Sequence, residues 1–218
     1  MMTTYRAIAL ATVLALLPLT RPVSALVFDD EVKGGIDSDG YLATWLVLTP
    51  IALEADQEGA EAAAKEQVKD EAALNPKLGD KLEVGGKELT WKSAETHEGV
   101  IDFNAIVGEE TEDSVAYAVT TVVADEEKAD VVFKINSDDQ VRVYLNGKPI
   151  HANDEARPLD KDEDDTVEGL TLKKGRNVVV LKIVNEGGDW EGSVRILDKE
   201  GKPLKGITAT TKAEQVNK

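Results

Sequence analysis

Turn residues spaced between short apolar runs constrain this chain more than any other feature. From residue 87 onward, segments rich in β-branched and aromatic residues alternate with Gly, Asn and Asp. That is the pattern of an antiparallel sandwich. Residues 130–136 (DVVFKIN) and 141–145 (VRVYL) alternate apolar and polar, which places one face of each strand in a core. Asn146-Gly147 follows directly. A type I′ turn needs positive φ at both central residues, so this dipeptide predicts a tight hairpin returning through 148–151. Further strands are predicted over 44–49, stopped by Pro50, and over 87–91, 99–103, 115–124, 167–172, 177–184, 192–197 and 202–204. The segment 53–74 differs: it is rich in Ala, Glu, Lys and Gln, and its only large apolar residues are Leu53, Val68 and Leu74. Good helix formers with a weak apolar face predict a surface helical insertion after the first strand, closed by Asn75-Pro76.

The length of 218 residues suits a single domain, at about 100–200 residues each. Its first 25 residues read as a signal peptide. Arg6 precedes the apolar run 7–19, and Val23-Ser24-Ala25 places small residues before a cleavage point. The run is too short for a spanning helix, which needs about 20 apolar residues. The expected location is therefore secreted or periplasmic, with no membrane span and with a domain over 26–210 followed by a polar tail over 211–218. The chain has no cysteine, which excludes a thiol nucleophile, a cysteine zinc site and a cysteine-ligated iron–sulfur cluster. Its net charge of −17 repels nucleic acid and favours cations and neutral partners.

Three stretches carry a family resemblance. The run 135–148 (INSDDQVRVYLNGK) resembles a strand–turn–strand of galactose-binding-like domains, including the sugar-binding jelly rolls of family 2 glycoside hydrolases. Residues 172–177 (LKKGRN) resemble the turn "L-x-x-G-x-N" of the same domains, and 45–50 (WLVLTP) resembles their opening strand, with Thr49 in place of a glycine. The resemblance covers about residues 41–204. It implies an all-β, jelly-roll β-sandwich, ligand-binding loops at one end, and a structural calcium ion as the one cofactor. A looser resemblance is to the protective-antigen-like domain, in which a Ser-Asp-Asp precedes an apolar strand. In its sugar-binding members the two aspartates ligate calcium; Asp138 and Asp139 match them, with Gln140 in place of the usual glycine.

Each candidate residue has a structural alternative. Asp138 and Asp139 are adjacent loop carboxylates, suited to a hard cation or to turn hydrogen bonds. Asp160, Asp162 and Asp164 alternate like the first half of a calcium loop, but Asp165 and Thr171 stand where such a loop needs glycine and glutamate. A repelling acidic loop fits the same residues. Asp37-Ser38-Asp39-Gly40 reads as a turn. Trp190, after Gly187-Gly188-Asp189, and Trp91 are the candidate sugar platforms, and core packing is the alternative for both. Trp45 reads as core. Arg157 and His151 bracket the loop after the hairpin, where Arg157 suits hydroxyl or carboxylate recognition, or an internal ion pair. The spacing of His97 and His151 matches no zinc motif.

No nucleophile elbow, phosphate loop or dinucleotide fingerprint is present, so an enzyme is not expected. Besides a glycan hydrolase built on paired carboxylates, two functions stay open at this point. One is an exported carbohydrate-binding module with calcium and a glycan partner. The other is an assembly module that binds another exported protein, through an apolar patch or a face of 53–74.

Overall fold

A computed structural model describes residues 35–212. The expected signal peptide lies outside the described residues, as does 213–218. Strands follow in chain order: β1 (Thr44–Ala52), β2 (Lys81–Val84), β3 (Lys87–Thr90), β4 (Lys92–Glu95), β5 (Ile101–Asp102), β6 (Ser114–Ala124), β7 (Lys128–Asp138), β8 (Val141–Leu145), β9 (Lys148–Asn153), β10 (Asp165–Leu172), β11 (Gly175–Asn185), β12 (Glu191–Leu197) and β13 (Ile207–Thr210). Two short helices, α1 (Gly59–Ala64) and α2 (Phe103–Val107), and a 3-10 turn (Glu71–Ala73) interrupt them.

Apart from β2 and β3, which pair only with each other, the strands form two facing antiparallel sheets. The larger runs β4-β1-β6-β11-β8-β9, and β13 pairs β6 end to end with β1. The smaller runs β10-β7-β12-β5. The architecture is thus the all-β sandwich that the turn pattern implies. Asn146 and Gly147 both take positive φ, as the hairpin turn requires.

Period two decides which side chains face the interior. Along β11, Val179, Leu181 and Ile183 enter the core between the sheets, joined by Phe133, Ile135, Trp45 and Trp190. Val178, Val180 and Val184 point the other way. On β6, Ala116 and Ala118 face inward while Val115, Tyr117 and Val119 face outward. Pro50 does not stop β1, contrary to the sequence reading. The strand runs on to Ala52 through a register shift between Leu48 and Ile51. A bulge is where a strand tolerates proline, and the extra residue keeps Ile51 on the same face as Leu48.

The large sheet is therefore apolar on both faces, and residues 53–91 cover the outer one. This insertion is less helical than its composition predicts. Only six residues form α1; the remainder is irregular apart from the 3-10 turn and the hairpin β2–β3. Ala62, Ala63, Val68 and Trp91 are buried against Leu46, Leu48, Val119 and Val180. Small alanines let the helix approach the sheet closely, so the weak apolar face suffices. The strand expected at 202–204 is instead a turn and bridge, and pairing resumes in β13.

One buried polar cluster fixes the insertion. Lys182 is fully buried on the outer face of β11. Its Nζ donates to Ala63 O (3.1 Å), Lys65 O (2.6 Å) and Glu71 Oε2 (3.0 Å). Those carbonyls sit at the end of α1, where the last ones lack helical donors. Glu71, also buried, accepts from the Tyr144 hydroxyl at 2.6 Å and from the Tyr117 hydroxyl. Burial pulls the Lys182 pKa down, with Glu71 opposing it, and raises those of both tyrosines. Breaking one half of such a pair strands a buried charge. Lys182→Met is expected to lower stability by about 3–5 kcal/mol in urea unfolding. Lys182→Met combined with Glu71→Gln is expected to lose clearly less than Lys182→Met alone.

Candidate functional site

Carboxylates converge at one end of the smaller sheet through strand register. Glu191, the first residue of β12, stands opposite Asp138 of β7 on one side and Asp102 of β5 on the other. Residues directly opposite in antiparallel strands project to the same face. Val194 and Ile196 of β12 point into the core, so Glu191 and its two neighbours lie on the outer face. Asp189 is close enough to act on both Asp138 and Glu191. None of these four carboxylates forms an ion pair among the described residues. Like charges opposite one another in a sheet are destabilising. The Asp138 carboxyl is accordingly pushed up to about 6, first by burial and then by Asp139, Asp189 and Glu191. Glu191 is raised by burial and by Asp189 and Asp102, with Lys161 opposing.

The acidic loop 154–164 packs beside this row. Asn136, 1% exposed, donates from Nδ2 to Asp160 O and to Asp164 Oδ1 (3.1 Å) and accepts from Asp160 N (3.3 Å). Asp162 N closes a turn on Asp160 Oδ1 at 2.9 Å. The Leu159 backbone N–H lies on the side of Asp138 and opposes the rise of its carboxyl. Ser193, opposite Asn136 in register, is 1% exposed, and its hydroxyl has no partner among the described residues. The structure thus brings Asp138, Asp160 and Asp164 to one region and leaves Asp162 on the exposed rim.

Asp139 plays a different part. Its Oδ1 accepts from Arg157 N (3.1 Å) and its Oδ2 from Glu186 N (2.9 Å). Burial raises its carboxyl, and these two backbone donors oppose that rise. The peptide joining Asp138 to Asp139 is cis.

Arg157 and His151 serve the framework. The Arg157 guanidinium donates to Asp165 Oδ2 (2.6 Å) and Ser137 Oγ (3.3 Å), and His151 Nε2 lies 2.8 Å from the same Asp165 oxygen. Burial acts to raise the Asp165 carboxyl, but Arg157 and His151 outweigh it and hold it below the usual range. Asp165 thereby ties β9 of the large sheet to β10 of the small one.

The tryptophans are core residues, not platforms. Trp190 is fully buried and packs on Phe103 with ring centroids 5.3 Å apart. Gly187-Gly188-Asp189 form the loop, but β12 carries the next residues back into the sheet, and the indole turns inward. Trp91 is 3% exposed beneath the insertion, on the wall of a cleft of about 330 Å³ shared with Val68, Leu74 and Leu82. Neither ring offers a face to a sugar. An apolar docking patch on 53–74 is likewise not formed. Its apolar residues face the sheet, and Leu78 is the one large apolar side chain exposed among the described residues.

Calcium fits this region in donor chemistry, since carboxylate and carbonyl oxygens are its ligands. Among the described residues no three His, Asp or Glu side chains close into a metal cage, and no helix is long and apolar enough to cross a membrane. The residues sequence reasoning missed are Glu191, Asp189, Asp102 and Ser193. Their one signal is acidity beside strand ends, which is common throughout this chain.

No family model and no curated protein matches the chain. Among solved structures it is similar to a family 35 carbohydrate binding module from an environmental isolate, at 21% identity over 48% of this chain and 78% of that one, with TM-score 0.34. It is similar to the PA14 domain of MpAFP antifreeze protein, at 17% identity over 46% of this chain and 56% of that one, TM-score 0.31. A third is the β-glucosidase from Kluyveromyces marxianus in complex with glucose, at 18% identity over 55% of this chain and 12% of that one, TM-score 0.25.

Two substitutions separate core from site. Trp190→Ala is expected to destabilise by about 3–5 kcal/mol, read by chemical denaturation. Asp138→Asn is expected to stabilise the protein in chelator. A folded-state pKa raised above the unfolded value means that the folded protein loses stability as pH rises from about 4 to about 6. Removing that charge recovers about 1–2 kcal/mol above pH 6, and nothing below pH 4.

Proposed function

We propose that this chain is an exported, non-catalytic binding module that holds a neutral glycan at the carboxylate-lined end of the smaller sheet, with Ca²⁺ as part of the site. The observation that carries the reading is the row Asp102–Glu191–Asp138, three carboxylates placed side by side by strand register and without an ion pair among the described residues. Such an arrangement opposes folding unless a cation joins it. Ca²⁺ takes about six to eight oxygen ligands, so a few carboxylates leave positions for water and for ligand hydroxyls. A neutral glycan also suits the surface, because a net charge of −17 does not repel it. The resemblance to galactose-binding-like domains implies ligand-binding loops at one end of the sandwich, and the carboxylate row lies at such an end. The candidate groups here are Asp138, Asp164, the Asp160 carbonyl and Ser193, with Asp139, Arg157 and His151 holding the loops in place.

A glycan-array screen of the chain from Leu26 onward, run in calcium and again in chelator, tests this. The expected result is saturable binding to at least one neutral glycan, lost in chelator and lost in Asp138→Asn. A blank array with folded protein would set the glycan reading aside in favour of assembly with another exported protein.

A further inference from the structure

The insertion and the acidic loop are tied to the same carboxylate. Asp139 Oδ1 holds Arg157 N of the acidic loop, and Oδ2 holds Glu186 N. The Glu186 side chain then reaches the insertion: its Oε1 accepts from Gly59 N, the first residue of α1, at 2.9 Å. Its Oε2 accepts from Gln140 Nε2 at 3.1 Å. Gln140 is buried against Gly59 so closely that a Cβ there would lie 2.4 Å from the amide oxygen. Asp139 N and Gln140 O pair with Val184 at 3.0 Å each, on the strand that carries Lys182. Helix α1 is thus gripped at its start by Glu186 and at its end by Lys182, both from β11 or the loop after it. An acid at the start and a base at the end also match the helix dipole.

We infer that the insertion is thermodynamically coupled to the carboxylate site, with Asp139 and Glu186 as the positioning residues that carry the coupling. The inference rests on the binding reading for the identity of the ligand, but the coupling itself is a property of the free protein. A cation or ligand that orders the acidic loop fixes the Arg157 backbone on Asp139, which steadies Glu186 and with it α1. Linkage is reciprocal. A partner that favours the docked insertion therefore tightens binding at the acidic end, and binding at the acidic end tightens that partner's hold by the same factor.

Amide hydrogen exchange of 59–66 tests this in wild type, Asp139→Asn and Glu186→Gln, each in chelator and in Ca²⁺. Amides of β7 and β12 serve as controls. Asp139 makes no contact with the insertion in this network, so its effect there reports transmission. In chelator, both variants are expected to speed exchange of the Gly59 and Ala62 amides at least fivefold over the controls. Asp139→Asn keeps an acceptor and so guards against simple unfolding; a rise shared equally by the controls would show general destabilisation and overturn the coupling. Insertion exchange at the wild-type rate in Asp139→Asn would overturn it as well. In wild type, Ca²⁺ is expected to slow exchange in 59–66, and Glu186→Gln is expected to abolish that slowing. If Ca²⁺ changes nothing anywhere, the binding reading fails while the chelator comparison still decides the coupling.

Discussion

The ammonium of Lys182, sealed under the insertion, is the interaction on which the arrangement of this molecule depends. β11 lies at the centre of the large sheet and over 178–184 is apolar on both faces, apart from this one charge. A lysine there is tolerated only if all three of its donors are met. Ala63 O, Lys65 O and Glu71 meet them, and all three come from the insertion. The outer valines of β11 would accept many apolar covers. The ammonium accepts only a segment that places a helix end and a carboxylate at one point. Specificity of this kind is the best-supported use of a buried ion pair, whose net stabilisation is small.

The same strand leads to a region with the opposite character. Past Asn185 the chain turns through Glu186 and returns as β12, and its first residue faces carboxylates on both sides. At Lys182 every charge is answered within the fold. At Asp138 and Glu191 the charges stand together, and both carboxyls are raised, first by burial and then by their acidic neighbours. Raised carboxylates at a loop end mark a place where a fold is held away from its own optimum, which is characteristic of binding sites. Three nearby groups are settled by contrast. Asp139 is met by two backbone donors, Asp165 by Arg157 and His151, and Glu186 by Gly59 and Gln140.

The sandwich was legible because its signals are local. Asn146-Gly147, the alternation in 141–145 and the β-branched run over 115–124 each act within a few residues, and β6, β8 and β11 lie close to where those signals put them. The errors have a common cause in contacts distant along the chain. Pro50 looked like a terminator because the bulge that accommodates it exists only in the pairing of β1 with β6. Residues 53–74 looked helical because propensity is local, whereas the sheet beneath selects one short helix and a 3-10 turn. Trp190 looked exposed because a glycine loop precedes it, and the direction of β12 turned it inward. The row Asp102–Glu191–Asp138 joins residues from three separate strands, and nothing in a single sequence states that β12 lies between β5 and β7. Lys182 was missed as well, although its signal is local. A lone lysine in the run 177–184, apolar on both faces, is itself a sign of a buried partner.

The central claim is that the acidic end is completed by a cation, and calorimetric titration of Ca²⁺ into the folded protein at neutral pH addresses it most directly. The account predicts binding at a single site, accompanied by a rise in melting temperature, with both effects absent in Asp138→Asn. Titration without saturable heat and with an unchanged melting temperature would contradict it, and would leave the carboxylate row as a repulsive feature of the fold.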